Sequence, residues 1–233
     1  MIIALNNKSN LNKQEFKTYY KELNTIKTKS TIILCPTFMN INLTYGNKII
    51  LGSQNVSKDE NGAFTGEISA SQLHDSGVKY TIVGHSERRE YQKETLEDIH
   101  EKMNRLFEND ITPILCIGES LEERKSNQVR EKLDIEILSA IKGLTSEQKK
   151  KIIVAYEPIW SIGTGKIPTI EEIEETFGFI KKVLPNNKIL YGGSANEKNI
   201  DELKKSKLID GYLLGGLSLK PKELKIFINK LEK

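Results

Sequence analysis

Glu157 and His85 each stand just past an apolar run, and between them they could supply acid–base chemistry. The run Ile152–Tyr156 stops at the Glu157 carboxylate and is followed by Pro158, Trp160, Gly163 and Gly165. Proline fixes its own φ and restrains the residue before it, whereas glycine opens backbone conformations closed to other residues. A carboxylate at the end of a buried strand, beside a segment anchored at one side and permissive at the other, suits a general base that a lid shuts away from water. A solvated strand-end Glu with a Gly-rich turn fits the same window equally well. His85 follows the run Tyr80–Val83 by two residues, and Ser86-Glu87 open what comes next. At a helix N-terminus the positive end of the dipole favours a neutral ring, which could donate a hydrogen bond to a carbonyl; a satisfied structural histidine is the commoner fate.

Other runs end in residues that complete a chemical set. Asn6 and Lys8 follow the first, Cys116-Ile117-Gly118-Glu119 close the fifth, Gly192-Gly193-Ser194 the seventh and Gly215-Gly216 the eighth. Two glycine pairs on neighbouring strands leave backbone N–H groups free to approach an anion, with a helix N-terminus behind them. Either pair alone reads as a tight turn; together they read as a phosphate cradle, with Lys8 as a cation across the mouth. The charged Glu87-Arg88-Arg89 cluster fits interface or surface ion pairing equally well. A carboxylate base, an imidazole, a lysine, a cradle and a lid suit moving a proton α to the carbonyl of a small phosphorylated molecule.

Cofactor motifs are missing. A P-loop would need Gly where Trp160 stands and Ser or Thr where Ile167 stands, and a dinucleotide fingerprint starting at Gly163 would need Gly at Pro168. His74, His85 and His100 have no Cys or second His at ligand spacing, so no metal is expected. The reading is of an enzyme without cofactor or metal.

The elements that must hold these residues follow from eight short, β-branched runs: Ile2–Leu5, Thr31–Cys35, Ile49–Gly52, Tyr80–Val83, Pro113–Ile117, Ile152–Tyr156, Lys188–Tyr191 and Gly211–Leu214. Helical patterns lie between them at Lys13–Lys27, Leu96–Asn109, Glu122–Lys142, Ile170–Leu184, Ala195–Lys205 and Pro221–Lys233. Shorter helical parts are expected at Phe38–Tyr45 and Ser69–Ser76. Thr169 before Glu171-Glu172, and Ser218 before Pro221, read as helix starts. Strand–helix alternation argues for a parallel sheet, and no run has the polar character of an edge strand, so closure is favoured. The expected fold is an α/β, eight-stranded parallel (β/α)8 barrel, one domain over residues 1–233, with its chemistry at the C-terminal strand ends.

Composition agrees with a soluble globular chain: 37% of the 233 residues are hydrophobic and 29% charged, and 35 basic against 32 acidic residues leave a net charge of +3. The charges are interleaved, and the Lys149-Lys150-Lys151 run, with no aromatic interleaving, reads as the end of a helix rather than a nucleic-acid patch. Two cysteines, Cys35 and Cys116, sit in or end apolar runs, which argues for reduced thiols and a cytoplasmic setting. The apolar start Met1–Leu5 is too short for a signal peptide, and no run approaches membrane-spanning length.

The segments Ala155–Lys166 (AYEPIWSIGTGK), Thr81–Arg89 (TIVGHSERR), Gly62–Ser69 (GAFTGEIS), Tyr191–Ser194 (YGGS) and Asp210–Lys220 (DGYLLGGLSLK) resemble the triosephosphate isomerase family, in its order and from one end of the chain to the other. The resemblance implies a TIM barrel that interconverts dihydroxyacetone phosphate and glyceraldehyde 3-phosphate through an ene-diolate, without a cofactor, in glycolysis or gluconeogenesis. A Glu base with a neutral His is that family's established pairing, which by motif assigns Glu157 as base and His85 as electrophile. Asn6 and Lys8 would line the pocket, Lys8 stabilising anionic charge, and Glu87 would support the site. Pro158, Ile159, Trp160, Ser161, Ile162, Gly163, Thr164, Gly165 and Lys166 would form the lid, Gly163 touching phosphate, with Ser194, Gly215 and Gly216 completing the cradle. The Phe64–Thr65 loop would insert into a second copy, making a homodimer.

The chain departs from the family pattern at Asn7, where Trp is usual, at Ser161, where Ala is usual, and in a trimmed first helix region and loops. Asn7 bears on the packing around Lys8, and Ser161 adds a hydroxyl to the lid. A phosphate-binding aldolase using Lys8 as a Schiff base, and an inactive barrel serving as a binding module, are the competing readings. The first lacks an evident apolar pocket for Lys8. The second must explain why every chemically required position is filled.

Overall fold

The computed structural model describes residues 1–46, 48–164 and 167–233. Eight parallel strands close into a barrel in chain order: β1 (Ile2–Asn6), β2 (Thr31–Cys35), β3 (Ile50–Ser53), β4 (Tyr80–Val83), β5 (Thr112–Ile117), β6 (Ile153–Tyr156), β7 (Lys188–Tyr191) and β8 (Gly211–Leu214). β8 pairs with β1, Ile2 opposite Gly211, so no strand edge is left exposed. Around the barrel lie α1 (Lys13–Leu23), α2 (Ala70–Asp75), α3 (Ser86–Tyr91), α4 (Leu96–Glu108), α5 (Leu121–Lys125), α6 (Val129–Ala140), α7 (Ser146–Lys151), α8 (Ile170–Val183), α9 (Ile200–Leu203) and α10 (Pro221–Leu231).

The strands are apolar on both faces because both are covered. Ala4, Ile33, Cys35, Ile82, Ile114, Cys116, Ile153, Ala155, Leu190 and Leu213 pack together in the barrel interior. Their neighbours Ile3, Leu5, Ile32, Leu34, Leu115, Val154, Ile189 and Tyr212 pack outward with the helices in a second core. This period-2 alternation also aims the site: Glu157 is two residues beyond Ala155, and Asn6 two beyond Ala4, so both continue the inward-facing rows into the mouth.

Helix starts are chemically marked. Asn12, Ser69, Thr95, Ser120, Thr145 and Thr169 each form a capping box with the side chain three residues on. Three helical expectations are shortened. The Glu122–Lys142 pattern is two helices, broken where Asn127 takes a left-handed φ of 57°. Ala195–Lys205 contracts to α9 because the Asn196 and Asn199 side chains bind the local backbone and compete with helix formation. The first helix stops at Leu23, with Asn24 closing it through a bond to the Tyr20 carbonyl. Phe38–Leu43 is a 3-10 rather than an α-helix. Ser218 is not a helix cap: it lies in a 3-10 turn, Gly216–Leu219, and its hydroxyl donates to the Asn6 carbonyl at 2.9 Å. Among the described residues, no helix is long and apolar enough to cross a membrane.

Candidate active site

The β5–β6 ladder continues past the strands and fixes the backbone of Glu157. Its N–H donates to the Ile117 carbonyl at 2.8 Å, and the Ile159 N–H donates to that of Glu119 at 3.1 Å. The approach is so close that a Cβ on Gly118 would lie 1.8 Å from the Glu157 carbonyl oxygen, which only glycine accommodates. The Glu157 side chain is 3% exposed. One oxygen accepts from the Ser86 N–H at 3.1 Å, and the other lies 3.2 Å from His85 Nε2.

His85 is the N-cap of α3, and its Nδ1 accepts from the Glu87 N–H at 3.2 Å. That bond needs a lone pair on Nδ1, so the ring is neutral and carries its proton on Nε2, the nitrogen facing Glu157. The Glu87 carboxylate stands between His85 and Lys8: Oε2 lies 3.7 Å from His85 Nδ1, and Oε1 pairs with Lys8 Nζ at 2.5 Å. Lys8 is held in a left-handed conformation, φ 51°, unusual for a side chain of this size. Its N–H donates to Asn6 Oδ1 at 3.0 Å, and its carbonyl accepts from Gln54 at 2.9 Å.

Asn7, beside it, is buried. Its amide donates to the Tyr19 hydroxyl at 3.3 Å and to Ser218 Oγ at 3.2 Å. The same Ser218 bonds the Asn6 carbonyl, so this polar chain ties the ends of β1 and β8 together beneath Lys8. Asn7 Oδ1 has no hydrogen-bond partner among the described residues.

Asn6, Lys8, His85, Glu157, Gly163, Ser194, Gly215 and Gly216 all line one cleft of about 450 Å³ at the C-terminal ends of the strands. Glu87 lies instead in an adjoining cleft of about 340 Å³, with Lys8, Phe38, Gln54 and Tyr91. Phe64 and Thr65 lie outside both, exposed between β3 and α2. In the segment after β6, Ile159–Ser161 form a 3-10 turn following Pro158. Ile162 and Gly163 reach the cleft, and Thr164 folds back onto the Ser161 carbonyl. Gly165 and Lys166 lie outside the described residues. Among the described residues there is no group of His, Cys, Asp and Glu that could hold a metal ion.

Two polar networks were not legible beforehand. Glu119, fully buried, receives on one oxygen the Arg124 guanidinium at 2.8 Å, the Tyr156 hydroxyl at 3.0 Å and the Trp160 indole N–H at 3.0 Å. The Arg124 guanidinium also lies 5.7 Å from the centre of the Trp160 ring, so this cluster seats the turn that carries Trp160. Burial, and then the Glu119 charge, push the Tyr156 phenol far up. A strand-end Glu and an Arg five residues on were visible in the sequence, but not their meeting with Tyr156 and Trp160. Arg89 points inward rather than to the surface, reaching the Gly84 and Cys116 carbonyls and Glu136, 3.3 Å away. Burial, only partly offset by Arg89, raises the Glu136 carboxyl. Arg88 joins Lys102 on the buried Glu94.

The family model described as triosephosphate isomerase matches residues 1–231. A triosephosphate isomerase of Clostridium botulinum (strain Okra / Type B1) is 40% identical over 243 aligned positions, covering 98% of each chain. One from Aspergillus oryzae is 41% identical, covering 93% of this chain and 92% of its own. One from Clostridium novyi (strain NT) is 41% identical, covering 85% and 84%. The chain belongs to the triosephosphate isomerase family and is an isomerase of this type.

Proposed function

We propose that the chain, one barrel domain over residues 1–233, interconverts dihydroxyacetone phosphate and D-glyceraldehyde 3-phosphate, with Glu157 moving the proton between the two carbons. The observation that carries this reading is the 3.2 Å approach of the neutral His85 Nε2 to the Glu157 carboxylate, at a cleft that Lys8 and the Gly215-Gly216 backbone also line. A carbonyl entering there would take the Nε2–H bond and accumulate negative charge as Glu157 removes the adjacent carbon's proton. The product is an ene-diolate, and Lys8 contributes the positive charge nearest to it. His85 Nε2 gives its proton to the carbonyl-derived oxygen and takes the one on the neighbouring hydroxyl, and Glu157 returns its proton to the other carbon, so no cofactor or metal is called on.

Asn6 shapes the pocket and holds the Lys8 backbone, while Glu87 orients Lys8. Gly163, Ser194, Gly215 and Gly216 take the phosphate, and Pro158–Lys166 close over it to exclude water. The supports for a homodimer are Met39, 88% exposed, and Tyr91, 66% exposed, beside the cleft of about 340 Å³. Such surface is costly to leave in water. A second copy's Phe64–Thr65 loop would fill that cleft and cover Lys8 and Glu87. The setting we infer is the cytoplasm, in glycolysis or gluconeogenesis.

The test is isomerase turnover on glyceraldehyde 3-phosphate, coupled to a dehydrogenase that reduces dihydroxyacetone phosphate. Glu157→Gln keeps an acceptor for the Ser86 N–H and should fold normally while losing ~10²–10⁴ in kcat, the usual worth of a general base. A folded wild type without turnover, or a variant at near-full rate, would refute the assignment.

A further inference from the structure

Ser161 sits at the base of the segment that follows Glu157, yet its side chain is fully buried. Its surroundings belong to the exit of β7. The Ser194 hydroxyl donates to the Ser161 carbonyl at 2.6 Å, and the Ser194 backbone N–H donates to Ser161 Oγ at 3.4 Å. On the same side lies Tyr191, whose phenol burial pushes up to about 12 while the Ser161 hydroxyl pulls the other way. The turn is thus docked on the glycine-rich exit of β7 through one hydroxyl and one carbonyl.

Ser194 lines the cleft assigned above to phosphate, and its backbone N–H is the donor that Ser161 Oγ accepts. An alanine at position 161 could pack there but would offer no acceptor; a serine does. We propose that the Ser161 hydroxyl is a positioning residue that occupies the Ser194 amide in the place of a phosphate oxygen, so that phosphate binding displaces it and releases the turn to close. The lid and the ligand then exchange one hydrogen-bond donor between them. Because both partners of that bond are neutral and the contact is long, the competition is modest, worth about two- to tenfold in phosphate affinity. The proposal rests on the assignment of Ser194 to the phosphate cradle.

Inorganic phosphate is the probe, and Trp160, the only tryptophan in the chain, is the reporter. Its indole bonds Glu119 and lies one residue from Ser161, so its fluorescence follows the turn. Titration of wild type and Ser161→Ala by fluorescence and calorimetry should show the variant binding phosphate about two- to tenfold tighter, with KM for glyceraldehyde 3-phosphate falling by a similar factor. Ser161→Thr, which keeps the hydroxyl, should bind phosphate as wild type does. A purely structural loss at this buried position would move phosphate affinity and KM the opposite way. Equal or weaker phosphate binding by Ser161→Ala overturns the exchange. Absence of phosphate binding in both proteins overturns the cradle assignment and the exchange with it. If the variants differ in phosphate affinity as expected but neither isomerises a triose phosphate, the exchange stands and the proposed reaction falls.

Discussion

Gly192→Ala offers the sharpest test of whether the placement of Glu157, rather than its mere presence, sets the rate. Gly192 donates its N–H to the Tyr156 carbonyl at 2.7 Å, a bond that alanine keeps. The added Cβ, however, would stand 2.9 Å from Glu157 Cγ and 3.1 Å from the Tyr156 carbonyl oxygen. Carbon atoms rest at about 3.5–4.0 Å, so the Glu157 side chain must retreat by roughly 0.6–1 Å. A misplacement of that size costs on the order of 10²-fold in kcat. The Gly215-Gly216 cradle is untouched, so KM should hold. Overpacking should cost about 1–3 kcal/mol of stability, or roughly 2–10 °C in Tm for a chain of this size. Steady-state turnover with the coupled assay, beside a thermal melt, reads both quantities. Repeating the change in a Glu157→Gln background completes a cycle: with the base already removed, the second substitution should cost little more, because the two act on one group. Unchanged kcat in a folded Gly192→Ala protein, a loss confined to KM, or full additivity in the cycle would refute the reasoning.

Phe64→Asp places a charge on a 45% exposed ring at the tip of the proposed interface, and should shift the protein toward monomer with loss of turnover; light scattering showing an active dimer would overturn that interface. Arg124→Met leaves the fully buried Glu119 carboxylate without its ion-pair partner, which should cost about 3–5 kcal/mol; chemical denaturation with an unchanged midpoint would contradict it. Acid stability should depend on Asp98 and Glu94. The Lys58 hydrogen bond, then the Thr95 amide, hold Asp98 well below the ordinary carboxylate range. Burial pushes Glu94 up, but hydrogen bonds and charge from Lys102 and Arg88 outweigh it and leave it lowered. A folded-state pKa below the unfolded one gives stability that is present above about pH 4 and lost as pH falls through the folded values. Tm should therefore decline below about pH 4, and Lys58→Met should flatten part of that decline; an unchanged slope in the variant would rule out the Asp98 contribution.

Every strand of the barrel was legible in the chain as a β-branched run, because strands buried on both faces must be apolar along their length. Closure was legible from the lack of a polar edge. The capped start at Thr169 was legible because a capping box is a contact three residues long. Ser218 misled for a related reason: a serine before Pro221 has the composition of a cap, but its hydroxyl is taken by the Asn6 carbonyl, far away in the chain. The break at Asn127 and the contraction of α9 turn on side-chain-to-backbone bonds that a periodic pattern does not register.

The sequence by itself determined which chemical groups stand at the strand ends, and period-2 alternation determined that Glu157 and Asn6 face the barrel mouth. Only the tertiary structure decided what those groups meet. The His85 tautomer depends on the bond from Glu87, the placement of Lys8 on a left-handed backbone, and the seating of Trp160 on Glu119, which lies on the neighbouring strand's loop. Parity is a property of one strand and can be counted along it. The distance between Glu157 and His85 depends on how β4, β5 and β6 pair, and closing the barrel is what brings residues 72 positions apart to 3.2 Å.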